Sequence, residues 1–349
     1  MPAEYAPAHS KQIDEMMETK MADIRVAVLV VTYNQEKYIR QCIESALAQQ
    51  TDFAVDIIVG NDCSTDKTAC VLQDLQAKHS NLKVFNRTQN MGLVNNTTDL
   101  FRYVTAQNYT YAAMLDGDDY WCDNGKLQRQ VTLMEQYPAM SFCYMRCTSS
   151  EEVALEAKSS TYAIRVEDMF DKIRSTGISN GTVMHRVSML KNVPFDKIAA
   201  EHLLSMDYPT NVYMARQGAV GFIDGVSLYW RRTGNTVSSA GEKQKALRYI
   251  DHEVRQGLFL AKEFPNTAYS FSKEEAEQFR QWQIYEWALS RKDYSTIIEC
   301  LHNSDFPSRW LDGRQERIYL NSKIEFNIYI YLIKKIKTVW RMICGKLKQ

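Results

Sequence analysis

Residues 24–34, "IRVAVLVVTYN", place a nearly unbroken apolar and β-branched run directly before Thr32, Tyr33 and Asn34. Hydrophobicity that is continuous rather than alternating suits a parallel strand covered on both faces. Runs of the same kind follow at 55–62, "VDIIVGND", and 109–117, "YTYAAMLDG", with the shorter "LKVFNR" (82–87) between them. In the intervals the apolar spacing lengthens to the helical period. Ile39, Cys42, Ile43, Ala46 and Leu47 share one face, Val71, Leu72 and Leu75 another, and "TTDLFRYVTAQ" (97–107) supplies a third helix. This alternation with short connections predicts an α/β fold built on an open, mostly parallel sheet.

In such sheets ligands bind beyond the carboxyl ends of the strands. Polar residues cluster at those ends: Thr32-Tyr33-Asn34 after the first strand, Asn61-Asp62 after the second, and Asp116-Gly117-Asp118-Asp119 after the fourth. Taken alone, "MLDGDDYW" (114–121) is equally a solvated Asp-Gly turn, because Asp and Gly dominate turns. Its place in a series of polar strand ends favours an ion site. Adjacent carboxylates repel unless a cation holds them, and a hard ion such as Mg²⁺ or Mn²⁺ bridges one or two carboxylates to substrate phosphates.

The chain has 349 residues, 45% apolar and 24% charged, with Lys+Arg and Asp+Glu both at 42. That balance names no partner and argues against a dedicated nucleic-acid binder, which carries a basic face. The 8 cysteines form no CxxC pair, and most are expected to be reduced core residues of a cytoplasmic protein. The first 23 residues lack the apolar stretch of an export signal and are expected to be a loose arm. From about 140 the pattern shifts: strands at "MSFCYM" and "GISNGTVMHRVSML", a helix over 199–218 around Asp207, and "AVGFIDGVSLYWRRTGNTVS" returning to strand before a basic loop. Beyond 240 the chain is helical and amphipathic.

The order "VLVVTYNQEKYIRQCIESALAQ", "IIVGNDCSTDKT", "NMGLVNN", "MLDGDDYW" and "KLQRQ" resembles a family 2 glycosyltransferase of the GT-A fold, the inverting kind that builds bacterial surface polysaccharides. The resemblance spans 24–240, with an arm at 1–23 and a helical region at 241–349. It implies a metal-dependent enzyme that moves a sugar from a nucleotide-diphosphate donor, UDP type favoured, to a saccharide or lipid-linked acceptor. Carried over by position, Thr32, Tyr33 and Asn34 lie at the nucleotide, with Tyr33 stacking near the base. Asp62 bonds the ring edge of that base. Asp118 is the metal ligand, Asp116 faces the ribose, and Asp119 lies near the donor sugar or the ion. The catalytic base falls on Asp207 in "SMDYPTNVYMA", with Glu201 and His202 as neighbouring alternatives and a helix cap as the plain one. Arg231 takes the arginine position of the loop that closes over the diphosphate, while Thr233 stands where His is common. Val31 replaces a frequent Pro, and Asn61 replaces one acid of the usual pair.

Other readings fit less well. A sugar-phosphate nucleotidyltransferase resembles a glycine-rich opening after the first strand, which "TYNQEKY" lacks, and no GxGxxG marks a dehydrogenase. A processive synthase wants QxxRW and membrane spans. A non-catalytic nucleotide-sugar scaffold would not need Asp116, Asp118 and Asp207 together. The final stretch, "NIYIYLIKKIKTVWRMICGKLKQ" (327–349), has no acid. Read as a helix, it sets Leu332, Ile336 and Trp340 opposite Lys334, Lys337 and Arg341. It is too interrupted by lysine to span a bilayer. It fits a peripheral contact with the inner face of the membrane, a docked end helix or a homodimer contact equally.

Overall fold

The computed structural model describes residues 21–156, 164–167, 177–233, 242–291 and 293–303. The chain divides into two compact units, Met1–Thr233 and Gly234–Gln349.

In the first unit the apolar runs form the predicted strands: β1 (Arg25–Thr32), β2 (Ala54–Asn61), β3 (Leu82–Asn86) and β4 (Tyr111–Asp116). They pair in parallel in the order β3-β2-β1-β4, with Leu29 facing Ile58 on one side and Met114 on the other. Val26 through Val30 are fully buried, as a two-sided strand requires. Each such valine or leucine contributes about 1.5–3 kcal/mol by leaving water. The intervening helices are α1 (Ile39–Leu47), α2 (Thr68–Gln76) and α3 (Leu93–Ala106). The last begins four residues earlier than the spacing of 97–107 suggests.

Past β4 the sheet becomes mixed. β5 (Tyr120–Trp121), α4 (Lys126–Gln136), β6 (Met140–Thr148), α5 (Glu151–Glu156), β7 (Ile164–Glu167), a single 3-10 turn at Asn180–Thr182, and β8 (Met184–Arg186) follow in order. Then come α6 (Val187–Leu190), α7 (Phe195–Ala200), α8 (Asp207–Ala215) and β9 (Ala219–Tyr229). The full order is β3-β2-β1-β4-β8-β6-β9-β5, with β7 alongside β9. β8 runs antiparallel to both β4 and β6, so it closes the gap between the parallel half and the rest.

One expected element is corrected. A single helix over 199–218 does not form: α7 stops at Ala200, His202 turns through φ 51, and α8 starts at Asp207. Pro209 explains the break, since its ring would strike the carbonyl of Ser205 in a continuous helix but fits the first turn of a new one.

The second unit holds α9 (Lys243–Glu263), α10 (Lys273–Arg291) and α11 (Tyr294–His302). Ile250, Ile284, Tyr285, Ala288, Ile297 and Cys300 form its core. Asp293 accepts from the Thr296 N–H and so caps α11. Residues 1–20 of the arm expected over 1–23, and the basic stretch 327–349, lie outside the described residues, and no described helix is long and apolar enough to cross a membrane. Of the described cysteines, Cys42, Cys122, Cys143 and Cys300 are buried, and none is paired in a disulfide.

Candidate active site

The parallel strands β1, β2 and β4 end together, and their loops are laced to one another. Asn34 sits at φ 53, a left-handed conformation that Asn tolerates, and its N–H donates to Ser64 Oγ at 2.9 Å. Its Oδ1 accepts from the Thr65 N–H at 2.7 Å. Asn34 therefore joins the loops after β1 and β2. Thr32 donates its hydroxyl to Gln35 Oε1 at 2.7 Å. Tyr33 projects outward, 46% exposed, a free aromatic face at the strand end.

Asp62 is buried, and both of its carboxylate oxygens accept backbone N–H bonds, from Met91 at 2.7 Å and Gly92 at 2.9 Å. It thereby holds the "NMG" turn that opens α3. Gly92 lies at φ 80, where a side chain is strained.

The acidic cluster is tightly built. Gly117 N–H donates to the Val31 carbonyl at 3.0 Å, and a Cβ at Gly117 would lie 2.3 Å from Gln35 Oε1. Only glycine lets the β4 end approach the β1 loop so closely. Asn180 donates to Asp116 Oδ1 at 3.4 Å. Burial, then the charges of Asp118 and Asp207, lift Asp116 to about 7. Burial also raises Asp118, against bonds from its own backbone, Thr233 and Gln35. Asp119 is 3% exposed and accepts the Arg231 N–H at 2.8 Å. Burial first, then the charge of Asp116, push it to about 8.

Arg231 crosses this cluster. Its guanidinium donates to the Asp118 carbonyl and to Gln41 Oε1. It lies 5.1 Å from the Tyr38 ring centroid, 4.9 Å from Tyr120 and 5.9 Å from Tyr229. Three aromatic faces hold the cation in place.

Among the described residues no group of three or more His, Cys, Asp or Glu is arranged to hold a metal by itself. The donor set instead fits an ion that protein carboxylates hold on one side and phosphate oxygens complete on the other. The raised carboxylates fit it too, because burial is the first cause of each rise and a cation stabilises the charged form that burial disfavours.

Asp207 is the first residue of α8, behind Met206 at the N-cap position, which makes no side-chain capping bond. Its Oδ1 is buried with no hydrogen-bond partner. A cavity of about 90 Å³ is lined by Asp116, Asn180, His185, Asp207 and Thr210 among others. The structure thus brings Asp207 and Asp116 to the lining of one cavity. Glu201 and His202 do not line that cavity. Sequence reasoning did not single out His185, Thr210 or Asn211. A lone His in "VMHR" carries no signal, and the contacts that place it come from α8, 26 residues onward in the case of Asn211.

Residues 27–198 match the family model described as "Glycosyl transferase family 2". An uncharacterized protein of Mycobacterium tuberculosis, Rv1520, is 33% identical over 120 residues, 34% of each chain. This chain spans about a third of the length of the curated relatives it matches first. Among solved structures, S. aureus TarS in complex with UDP-GlcNAc is 18% identical with a TM-score of 0.51, covering 86% of this chain and 88% of that one. The mannosyltransferase PcManGT of Pyrobaculum calidifontis, in complex with GDP-Man and Mn²⁺, is 14% identical with a TM-score of 0.51 and covers 92% and 95%. At these identities the likeness is one of fold.

Proposed function

We propose that this chain, a member of glycosyl transferase family 2 through residues 27–198, moves a sugar from a nucleotide-diphosphate donor to an acceptor hydroxyl. The observation that carries the proposal is the shared cavity of Asp116 and Asp207, with Asp207 Oδ1 buried and unpartnered. An unpartnered carboxylate oxygen is an acceptor in waiting for a hydroxyl proton.

On this reading the nucleotide lies across the ends of β1, β2 and β4. Tyr33 offers its exposed ring to the base. Asn34 and Asp62 act by fixing the loops, since their side chains are already engaged by backbone. Arg231, held by three aromatic rings, presents positive charge beside the diphosphate. Asp118, with Asp116 beside it, would hold Mn²⁺ or Mg²⁺, and the ion would offset charge gathering on the leaving diphosphate. Asp207 accepts the proton of the acceptor hydroxyl as its oxygen attacks the anomeric carbon. Attack from the side opposite the diphosphate inverts the anomeric configuration.

Two relatives in fold were solved with UDP-GlcNAc and with GDP-Man plus Mn²⁺, which supports a nucleotide-sugar donor and a divalent ion here. A growing surface polysaccharide or a lipid-linked saccharide is the acceptor we favour, with 327–349 as a peripheral membrane contact. The test incubates the protein and Mn²⁺ with a panel of UDP-, GDP- and dTDP-sugars and follows nucleotide release with and without saccharide acceptors. Release that needs the ion and rises with a saccharide acceptor supports transfer. No binding of any nucleotide sugar, with or without ion, contradicts it.

A further inference from the structure

His185 stands in β8, the antiparallel strand wedged between β4 and β6, where it faces Ala112 and Phe142. It is 2% exposed and packs edge-on against Phe101. Its Nε2 lies 2.9 Å from Asn211 Oδ1, and an amide oxygen only accepts, so Nε2 carries the proton. Nδ1 therefore keeps a lone pair, and it has no partner. Burial lowers His185 to about 4, so the ring stays neutral and that lone pair stays free at ordinary pH.

Thr210 is fully buried, and its hydroxyl also has no partner. That is unlike other helical threonines of this protein: Thr97 and Thr105 donate to the carbonyls of Leu93 and Phe101, four residues back, at 2.8 and 2.7 Å. Thr210 and Asn211 follow Asp207 by three and four residues, so α8 turns all three toward one side. Three orphaned polar atoms, on His185, Thr210 and Asp207, thus belong to residues around one cavity of about 90 Å³. Buried polar groups are nearly always paired, and a concentration of exceptions at a cavity marks a place where a ligand supplies the partners.

We infer that this cavity is a sugar subsite in which one ring hydroxyl donates to His185 Nδ1 and another exchanges a hydrogen bond with Thr210 Oγ1. The inference rests on the proposed transfer reaction and names the residues that read the sugar. The hydroxyls come from the donor or from the acceptor, and the same groups serve either. A site built this way rejects a deoxy analogue, because the missing hydroxyl leaves buried atoms unpaired.

The test uses the full chain and Thr210→Val, which keeps the side-chain shape, both labelled with ¹⁵N-histidine and loaded with Mg²⁺. UDP-GlcNAc and GDP-mannose are compared with UDP and GDP, and methyl glycosides are then added to the nucleotide-bound protein. If the donor sugar fills the cavity, the nucleotide sugars move the His185 Nδ1 resonance and the sugar-free nucleotides do not. Thr210→Val then loses about tenfold of the affinity gained from the sugar. If the acceptor fills it, only the methyl glycosides move the resonance, and Thr210→Val weakens them by a similar factor. Unmoved His185 together with unchanged affinities in a folded Thr210→Val overturns the inference and leaves a cavity for water. Absence of all nucleotide binding to the wild type sinks the transfer reading instead, and methyl glycosides added to the nucleotide-free protein then judge the cavity.

Discussion

Asp116 at the end of β4 and Asp207 at the start of α8 line one cavity, and the charge of Asp207 is among the causes that lift Asp116 to about 7. Residues 91 positions apart in the chain are therefore electrostatic neighbours.

That relationship has a consequence for pH. In the ion-free protein Asp116 holds its proton up to about 7, against 3.8 for an ordinary Asp, so above pH 4 the folded state binds more proton than the unfolded state. The Asp116 contribution is then least unfavourable at low pH and costs increasing stability as pH rises from about 4 to 7. Asp116→Asn removes that cost. It should raise ion-free stability over wild type by about 1–4 kcal/mol at pH 8 and by much less at pH 4.5, measured by urea unfolding at both pH values. A gain that does not grow with pH would contradict the assignment.

Asp118→Ala should abolish stabilisation by nucleotide that depends on the ion. With UDP or GDP and Mn²⁺ each well above its dissociation constant, the wild type should gain about 2–3 kcal/mol. In a thermal-shift comparison, an equal gain by the variant would remove Asp118 from the ion site.

Arg231→Lys tests the aromatic cradle. The ammonium group keeps the charge but loses the planar contact with Tyr38, Tyr120 and Tyr229 and the forked donation to Gln41 and the Asp118 carbonyl. Nucleoside diphosphate affinity should fall by about tenfold or more, with a stability loss of about 1–2 kcal/mol. Calorimetric titration with the wild-type value retained would show that charge alone suffices.

Gly117→Ala places a methyl 2.3 Å from Gln35 Oε1 and 2.9 Å from Thr32 Cβ. Gln35 has to leave Asp118 and Thr32, so ion-dependent nucleotide binding should weaken together with a loss of about 1–3 kcal/mol of stability. An unfolding curve and a binding isotherm that both match wild type would show the close approach to be unimportant.

The parallel half of the sheet was legible because a strand buried on both faces must be written as a continuous apolar run, and "VAVLVV", "DIIVG" and "YAAML" are such runs. The strand-end acids were legible as a series for the same reason. The antiparallel half was less so: β8 is three residues long and β5 two, too short for any period. The break before Asp207 was present in the sequence as Pro209, outweighed by the helical spacing around it. His185 and Thr210 were not legible at all. What distinguishes them is an unmet hydrogen bond, a property of the folded neighbourhood and not of residue type. Asp62 shows the converse, since its carboxylate is fully visible in "GND" but its bonds to the Met91 and Gly92 backbone are not.

The most direct measurement compares Asp207→Asn with wild type in two assays on the same preparation: calorimetric binding of a nucleotide sugar with Mn²⁺, and transfer to a saccharide acceptor. The amide keeps the size of the side chain but cannot take a proton. Binding should stay within about threefold of wild type, while turnover should fall by about 10²–10⁴-fold. Retained turnover, or loss of binding in place of turnover, would contradict the role given to Asp207.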